Sequence, residues 1–173
     1  IAIAGNPNCG KSALFNALTG IRQTTGNWPG VTVERKAGRC RIDGREITVV
    51  DLPGIYSFDA ASLDEKVTRD YLLTREADLV VNVVDAANLE RNLYFTVQLL
   101  EMGVPLVVAM NMMDVARRRG IRIDADALAR RLGCPVVPIV ATTLEGLSEL
   151  QARMLAVADA RQAPGFPLAH DDA

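Results

Sequence analysis

Residues Gly5 to Ser12 read G-N-P-N-C-G-K-S and follow an apolar run, Ile1–Ala4. The spacing is that of a phosphate loop, G-x-x-x-x-G-K-[ST], set where a strand turns into a helix. Its chemistry is anion capture. The backbone around Gly5, Asn6, Pro7, Asn8, Cys9, Gly10, Lys11, Ser12 and Ala13 would curl so that N–H groups point at phosphate oxygens, with the positive end of the following helix behind them. Lys11 would set a charge beside the outer phosphates, and Ser12 would offer its hydroxyl to Mg²⁺.

Two further constellations extend this chemistry. Asp51-Leu52-Pro53-Gly54 closes a strand-like run. A carboxylate there would reach Mg²⁺ through water, and Gly54 would present a backbone N–H to a γ-phosphate. By itself D-x-x-G also makes an ordinary turn; one hairpin downstream of a phosphate loop it is specific. Asn111-Met112-Met113-Asp114 fits N-[KM]-x-D. A carboxylate at Asp114 would accept from both N1–H and the 2-amino group of guanine. Adenine has no such donor pair, so a site of this kind rejects it by on the order of 10⁴. Asn111 would bond the other edge of the base and tie down the phosphate loop. Val140-Ala141-Thr142-Thr143 ends the last strand, and the Ala141 N–H, with Thr142 beside it, is expected at guanine O6.

These residues need a scaffold that brings strand ends together. The apolar patterning predicts strands near Ile1–Ala4, Thr32–Ile42, Arg45–Asp51, Leu79–Asp85, Pro105–Asn111 and Pro135–Ala141. Helices are expected near Lys11–Thr19, Leu63–Thr74, Leu89–Glu101, Ala125–Arg131 and Leu147–Ala160. Asp43-Gly44 is a hairpin signal, and the other strands alternate with helices. The expected fold is α/β: a doubly wound, mostly parallel sheet with one antiparallel edge hairpin, and ligands at the carboxyl ends of the strands. Ile21–Val31 and Pro53–Ser62 lack periodicity and are expected as loops. Residues 1–161 form one nucleotide-binding domain, and the proline-containing stretch 162–173 reads as a linker or tail.

Bulk properties agree. A chain of 173 residues supports one core rather than two. The net charge of −2 argues against nucleic acid as a partner. The one dense basic run, Arg117-Arg118-Arg119, reads as a solvated helix end or loop. No apolar stretch reaches the ~18–20 residues of a membrane span. Three cysteines without recognisable pairing suit a reducing compartment. With His170 as the sole histidine, a His-based triad or His-rich metal site is excluded. The first residues already lie in a strand-like run, so the chain is expected to be a piece of something larger.

The order phosphate loop, D-x-x-G, N-x-x-D and A-T resembles that of the translation-factor-like, Ras-like P-loop GTPases. More narrowly, G-N-P-N-C-G-K-S, G-N-W-P-G-V-T-V-E at Gly26–Glu34, D-L-P-G-I-Y-S, N-L-E-R-N-L-Y and N-M-M-D are similar to the cytoplasmic G domain of the ferrous iron transporter FeoB family. The similarity runs from Ile1 to about Ala160. It implies GTP and GDP as substrate and product, and hydrolysis stimulated by K⁺. It also implies a helical spacer and a polytopic membrane domain in the same full-length protein, with this domain on the cytoplasmic face of the bacterial inner membrane. The full-length transporter has room for a homo-oligomer.

The resemblance also assigns roles. Thr32, with Gly30 and Val31, would form switch I, with Thr32 on Mg²⁺ together with Ser12 and Asp51; Thr24 and Thr25 are rivals. Asn8 stands where small GTPases usually carry glycine. Its amide oxygen, with carbonyls of Gly26 and Trp28, would hold K⁺ beside the phosphates and do part of the work of an arginine finger. The catalytic set is then Asn8, Lys11, Thr32 and Gly54. Trp28 could equally anchor packing or shield the nucleotide. Ile55 occupies the position of the water-orienting glutamine of Ras-like proteins and has no hydrogen-bonding group, so slow intrinsic turnover is expected. Asp64 and Glu65 begin a helix, where their charges suit the helix dipole better than catalysis. Met112 replaces the usual lysine, which implies weaker GTP binding and faster GDP exchange. A ribosome-assembly or tRNA-modification GTPase, and a nucleotide sensor with little hydrolysis, are the competing readings.

Overall fold

A computed structural model describes residues 1–160. The expected tail, residues 162–173, and His170 lie outside the described residues. In chain order the elements are β1 (Ala2–Gly5), α1 (Lys11–Thr19), β2 (Gln23–Asn27), β3 (Glu34–Ile42), β4 (Arg45–Asp51), α2 (Leu63–Leu73), β5 (Val80–Asp85), α3 (Leu89–Glu101), β6 (Leu106–Asn111), α4 (Met113–Arg118), α5 (Ala125–Leu132), β7 (Val136–Pro138) and α6 (Leu147–Ala160). They build one seven-stranded sheet in the order β2-β3-β4-β1-β5-β6-β7.

β1 is central because its residues can be nothing else. Ala2, Ile3 and Ala4 are apolar on both faces and at most 1% exposed, the pattern of a parallel strand covered on both sides. It pairs in parallel with β4 and β5, and β5–β6 and β6–β7 continue in parallel. One face carries a core with Leu72 of α2, Phe95 and Leu99 of α3 and Leu132 of α5. The other carries Leu14, Phe15 and Leu18 of α1 with Leu150 and Met154 of α6. Helix ends are closed locally. Ser62 accepts from the Glu65 N–H at 3.2 Å at the start of α2, and Asp124 from the Ala127 N–H at 2.9 Å at the start of α5.

The doubly wound α/β architecture is as expected, with three differences. Ile21–Val31 is not all loop: Gln23–Asn27 forms an edge strand antiparallel to β3, from Gln23 opposite Gly38 to Asn27 opposite Glu34. Its side chains are exposed or half-buried, so it leaves no alternation of apolar and polar residues to read. The antiparallel part is therefore three strands, with Asp43 and Gly44 turning between β3 and β4 at φ 49° and 77°. Thr32 precedes β3, which starts at Glu34. Finally, α4 begins at Met113, inside the N-M-M-D motif; its last turn holds Arg117 and Arg118, both exposed.

Candidate functional site

The carboxyl ends of β1, β4, β5 and β6 converge, and the motif residues sit there. β1 ends at Gly5, and α1 starts at Lys11 with Gly10 in the left-handed region at φ 92°. Asn8 is left-handed too, at φ 64°, a conformation asparagine tolerates better than most residues. Its side chain is exposed and makes no hydrogen bond among the described residues. Glycine is required at Gly10 for a second reason: a Cβ there would run into the Asn111 amide. The phosphate loop and the N-x-x-D segment are thus in contact.

Asn111 is 4% exposed and uses both ends of its amide. Its Nδ2 donates to the Cys9 carbonyl at 3.1 Å, and its Oδ1 accepts from the Ala141 N–H at 3.0 Å. One side chain joins the phosphate loop, β6 and the segment after β7. The Ala141 N–H expected at guanine O6 is therefore already taken. The next one, that of the exposed Thr142, makes no hydrogen bond among the described residues. Met112 caps α4 in the left-handed region at φ 62°, which turns the chain so that Asp114 falls in the helix's first turn. Asp114 is half-buried and touches Arg118 at 3.6 Å.

On the phosphate side, Lys11 Nζ and Asp51 Oδ1 are 2.7 Å apart, with side chains 11% and 10% exposed. Sequence spacing places each near the phosphates and Mg²⁺; it gives no hint that they pair. Gly54 lies against Pro7, where an added Cβ would sit 3.3 Å from the Pro7 backbone. The Ile55 N–H donates to the Gly5 carbonyl at 3.1 Å, and its side chain is 3% exposed. The segment after Asp51 is thus fastened to the phosphate loop by backbone contacts.

The switch I candidates lie largely at the surface. Thr32 and Gly30 are exposed, and Val31 is half-buried. Gly26 is exposed on the edge strand. Trp28 is a packing anchor: 8% exposed, edge-on to Tyr71 at 5.3 Å, with the Arg35 guanidinium 5.2 Å from its ring centre. Its carbonyl accepts from the Val31 N–H at 3.2 Å, leaving one lone pair. Thr24 points back to the Ala37 carbonyl at 3.4 Å, away from a metal role. Glu65 is buried in the α2 first turn, its N–H capped by Ser62.

A phosphate loop on β1, an aspartate at the end of β4 and an N-x-x-D segment at the end of β6, linked by Asn111, define a P-loop GTP-binding domain. The family described as Ferrous iron transport protein B matches residues 1–154. The Fe(2+) transporter FeoB of Salmonella typhimurium is 56% identical over 155 residues, which cover 87% of this chain and 20% of that protein. The cytosolic domain of L. pneumophila FeoB superposes with a TM-score of 0.89 at 47% identity, over 95% of this chain and 70% of that one. A mutant of S. thermophilus NFeoB bound to GDP gives 0.91 at 47% identity, over 98% and 66%. The chain belongs to the ferrous iron transport protein B family, as its G domain, and spans about a fifth of the length of the curated relatives it matches. No helix among the described residues is long and apolar enough to cross a membrane.

Proposed function

We propose that this domain binds GTP through the site described, hydrolyses it slowly, and acts as the nucleotide switch of a bacterial ferrous iron transporter at the cytoplasmic face of the inner membrane. The observation that carries the reading is Asn111, whose buried amide locks the guanine-reading segment onto the phosphate loop. Base identity and phosphate position are then read by one rigid unit.

In this account Asp114 accepts from the guanine N1–H and 2-amino group, and the Thr142 N–H, rather than that of Ala141, donates to O6. The phosphate loop and Lys11 hold the β- and γ-phosphates, and the Gly54 N–H meets the γ-phosphate. The donor chemistry fits Mg²⁺, a hard cation that takes oxygen ligands. Ser12 and Thr32 hydroxyls and the Asp51 carboxylate would hold it, and it would offset charge on the phosphates. Asp51 has to leave Lys11 for this, which frees the ammonium for the phosphates. Neutral oxygens of Asn8, Gly26 and Trp28 suit K⁺, which would add charge compensation on the same phosphates. The Asn8 amide is exposed and makes no hydrogen bond among the described residues, and the Trp28 carbonyl keeps one lone pair beside its bond to Val31. Since the Ile55 side chain cannot orient water, and the Gly54 and Ile55 N–H groups are engaged elsewhere, backbone carbonyls of switch I and of residues 54–55 do so.

The partners are GTP and GDP, and the helical spacer and polytopic membrane domain of the full-length protein. Multiple-turnover phosphate release in Mg²⁺ tests the enzymatic part: GTP is turned over and ATP is not. Uptake of labelled ferrous iron by cells expressing the full-length protein tests the rest. Lys11→Ala is expected to abolish uptake, and undiminished uptake contradicts the switch role.

A further inference from the structure

The loop between Gly54 and α2 has no periodic signal, yet it is held at several points between Ile55 and Asp59. The Phe58 N–H donates to Gln98 Oε1 of α3 at 2.8 Å, and the Phe58 carbonyl accepts from the Arg69 guanidinium of α2 at 2.6 Å. Asp59 accepts from two α3 side chains, Tyr94 Oη at 2.5 Å and Gln98 Nε2 at 3.0 Å. The Phe58 ring packs edge-on against Phe95 at 5.3 Å, and the Arg91 guanidinium lies 4.7 Å from the Tyr56 ring centre. Residues 91, 94, 95 and 98 recur at helical spacing, so α3 turns one continuous face to the loop.

That face starts inside N-L-E-R-N-L-Y, which the nucleotide site leaves unexplained. The loop it grips begins where catalysis needs precision. Ile55 has no side-chain group to orient water, so the backbone of Gly54 and Ile55 must be placed instead. Its near end is fixed by the Ile55 N–H on the Gly5 carbonyl. The clasp on Asp59 and Phe58 fixes its far end.

We propose that Asp59, Tyr94 and Gln98 are positioning residues for hydrolysis. By holding the loop on α3 they set the Gly54–Ile55 backbone against the phosphate loop, replacing through placement what the Ile55 side chain cannot supply. The inference rests on the hydrolytic reading above. The Tyr94 phenol is pushed above its ordinary pKa chiefly by its hydrogen bond to Asp59, which agrees with the clasp geometry.

Two measurements on this chain test it: steady-state GTP turnover, and amide exchange of residues 55–58 with a non-hydrolysable GTP analogue bound. A misplacement of ~1 Å can cost about 100-fold in rate, and loosening one end of a tethered loop should cost about 10-fold. Asp59→Ala and Gln98→Ala are expected to lower kcat by about that factor at unchanged KM, GDP affinity and Tm, and to speed exchange at Ile55 and Phe58. Asp59→Asn keeps an acceptor oxygen and is expected to restore most of the rate. Unchanged kcat in both alanine variants overturns the proposal. If the unmodified chain turns over no GTP, the functional reading fails separately, and the exchange arm decides: faster exchange at Ile55 supports the clasp, and unchanged exchange overturns it.

Discussion

The two ends of the nucleotide site are built differently. At the base end, Asn111 is buried with both amide groups bonded, β6 is covered on both faces, and the Ala141 backbone is locked to it. At the phosphate end, Asn8, Gly26, Gly30 and Thr32 are exposed, and Lys11 is paired with the Asp51 carboxylate. On the reading proposed above, recognition is set by packed strands and hydrolysis is left to exposed residues of the phosphate loop, the edge strand and switch I, the expected division where a domain changes state with its nucleotide.

Removing the base reader should have the largest effect. Asp114→Ala takes away the proposed acceptor for two guanine donors, so GTP affinity should fall by about 100–1,000-fold and preference over ATP should nearly vanish. Competition binding with the two nucleotides measures both. A retained preference would mean that the base end is not where identity is read.

Asn111→Ala should weaken both ends at once. It leaves the Cys9 carbonyl and the Ala141 N–H buried without partners, at about 1–3 kcal/mol each. Thermal unfolding without nucleotide should show a Tm lower by about 5–15 °C for a chain of this size. By contrast, Thr32→Ala touches an exposed residue and should leave stability within about 0.5 kcal/mol. Single-turnover hydrolysis should nevertheless slow at least about 10-fold with the loss of the proposed Mg²⁺ and γ-phosphate contact. A large stability loss in Thr32→Ala would erase the contrast between the two ends.

The sequence showed the packed end better than the exposed one. The motif spacings and central strands were legible because fully apolar strands and fixed-spacing loops leave marks in the chain. β2 was not, because an edge strand with exposed side chains is specified by backbone pairing to β3. α4 was hidden behind a motif whose Met112 adopts a left-handed turn that its side chain does not advertise. The occupant of the Ala141 N–H could not be read, since neighbouring N–H groups differ only in what folds onto them. The grip of α3 on Asp59 was equally hidden. Tyr94 and Gln98 stand four apart on one helix face, but nothing in the chain says which loop meets them.

The smallest effect concerns the thiols. Burial pushes Cys9 up to about 11 and Cys134 up to about 12. Both should resist alkylation at pH 8, where the thiolate fraction is roughly 10⁻³ or less. A raised folded pKa favours the neutral thiol. Its contribution to stability is therefore full below the unfolded value of about 8.5 and is lost as pH rises through about 11. Urea midpoints should fall from pH 8 to pH 10.5, and less steeply in Cys134→Ser.

The most direct test of the account is the steady-state GTPase rate of this chain in KCl and in NaCl at equal ionic strength, with Asn8→Ala alongside. A cation site at the exposed end predicts faster turnover in KCl, lost in Asn8→Ala, with GDP affinity unchanged in the variant. Equal rates in both salts, or potassium stimulation that survives the substitution, would contradict it.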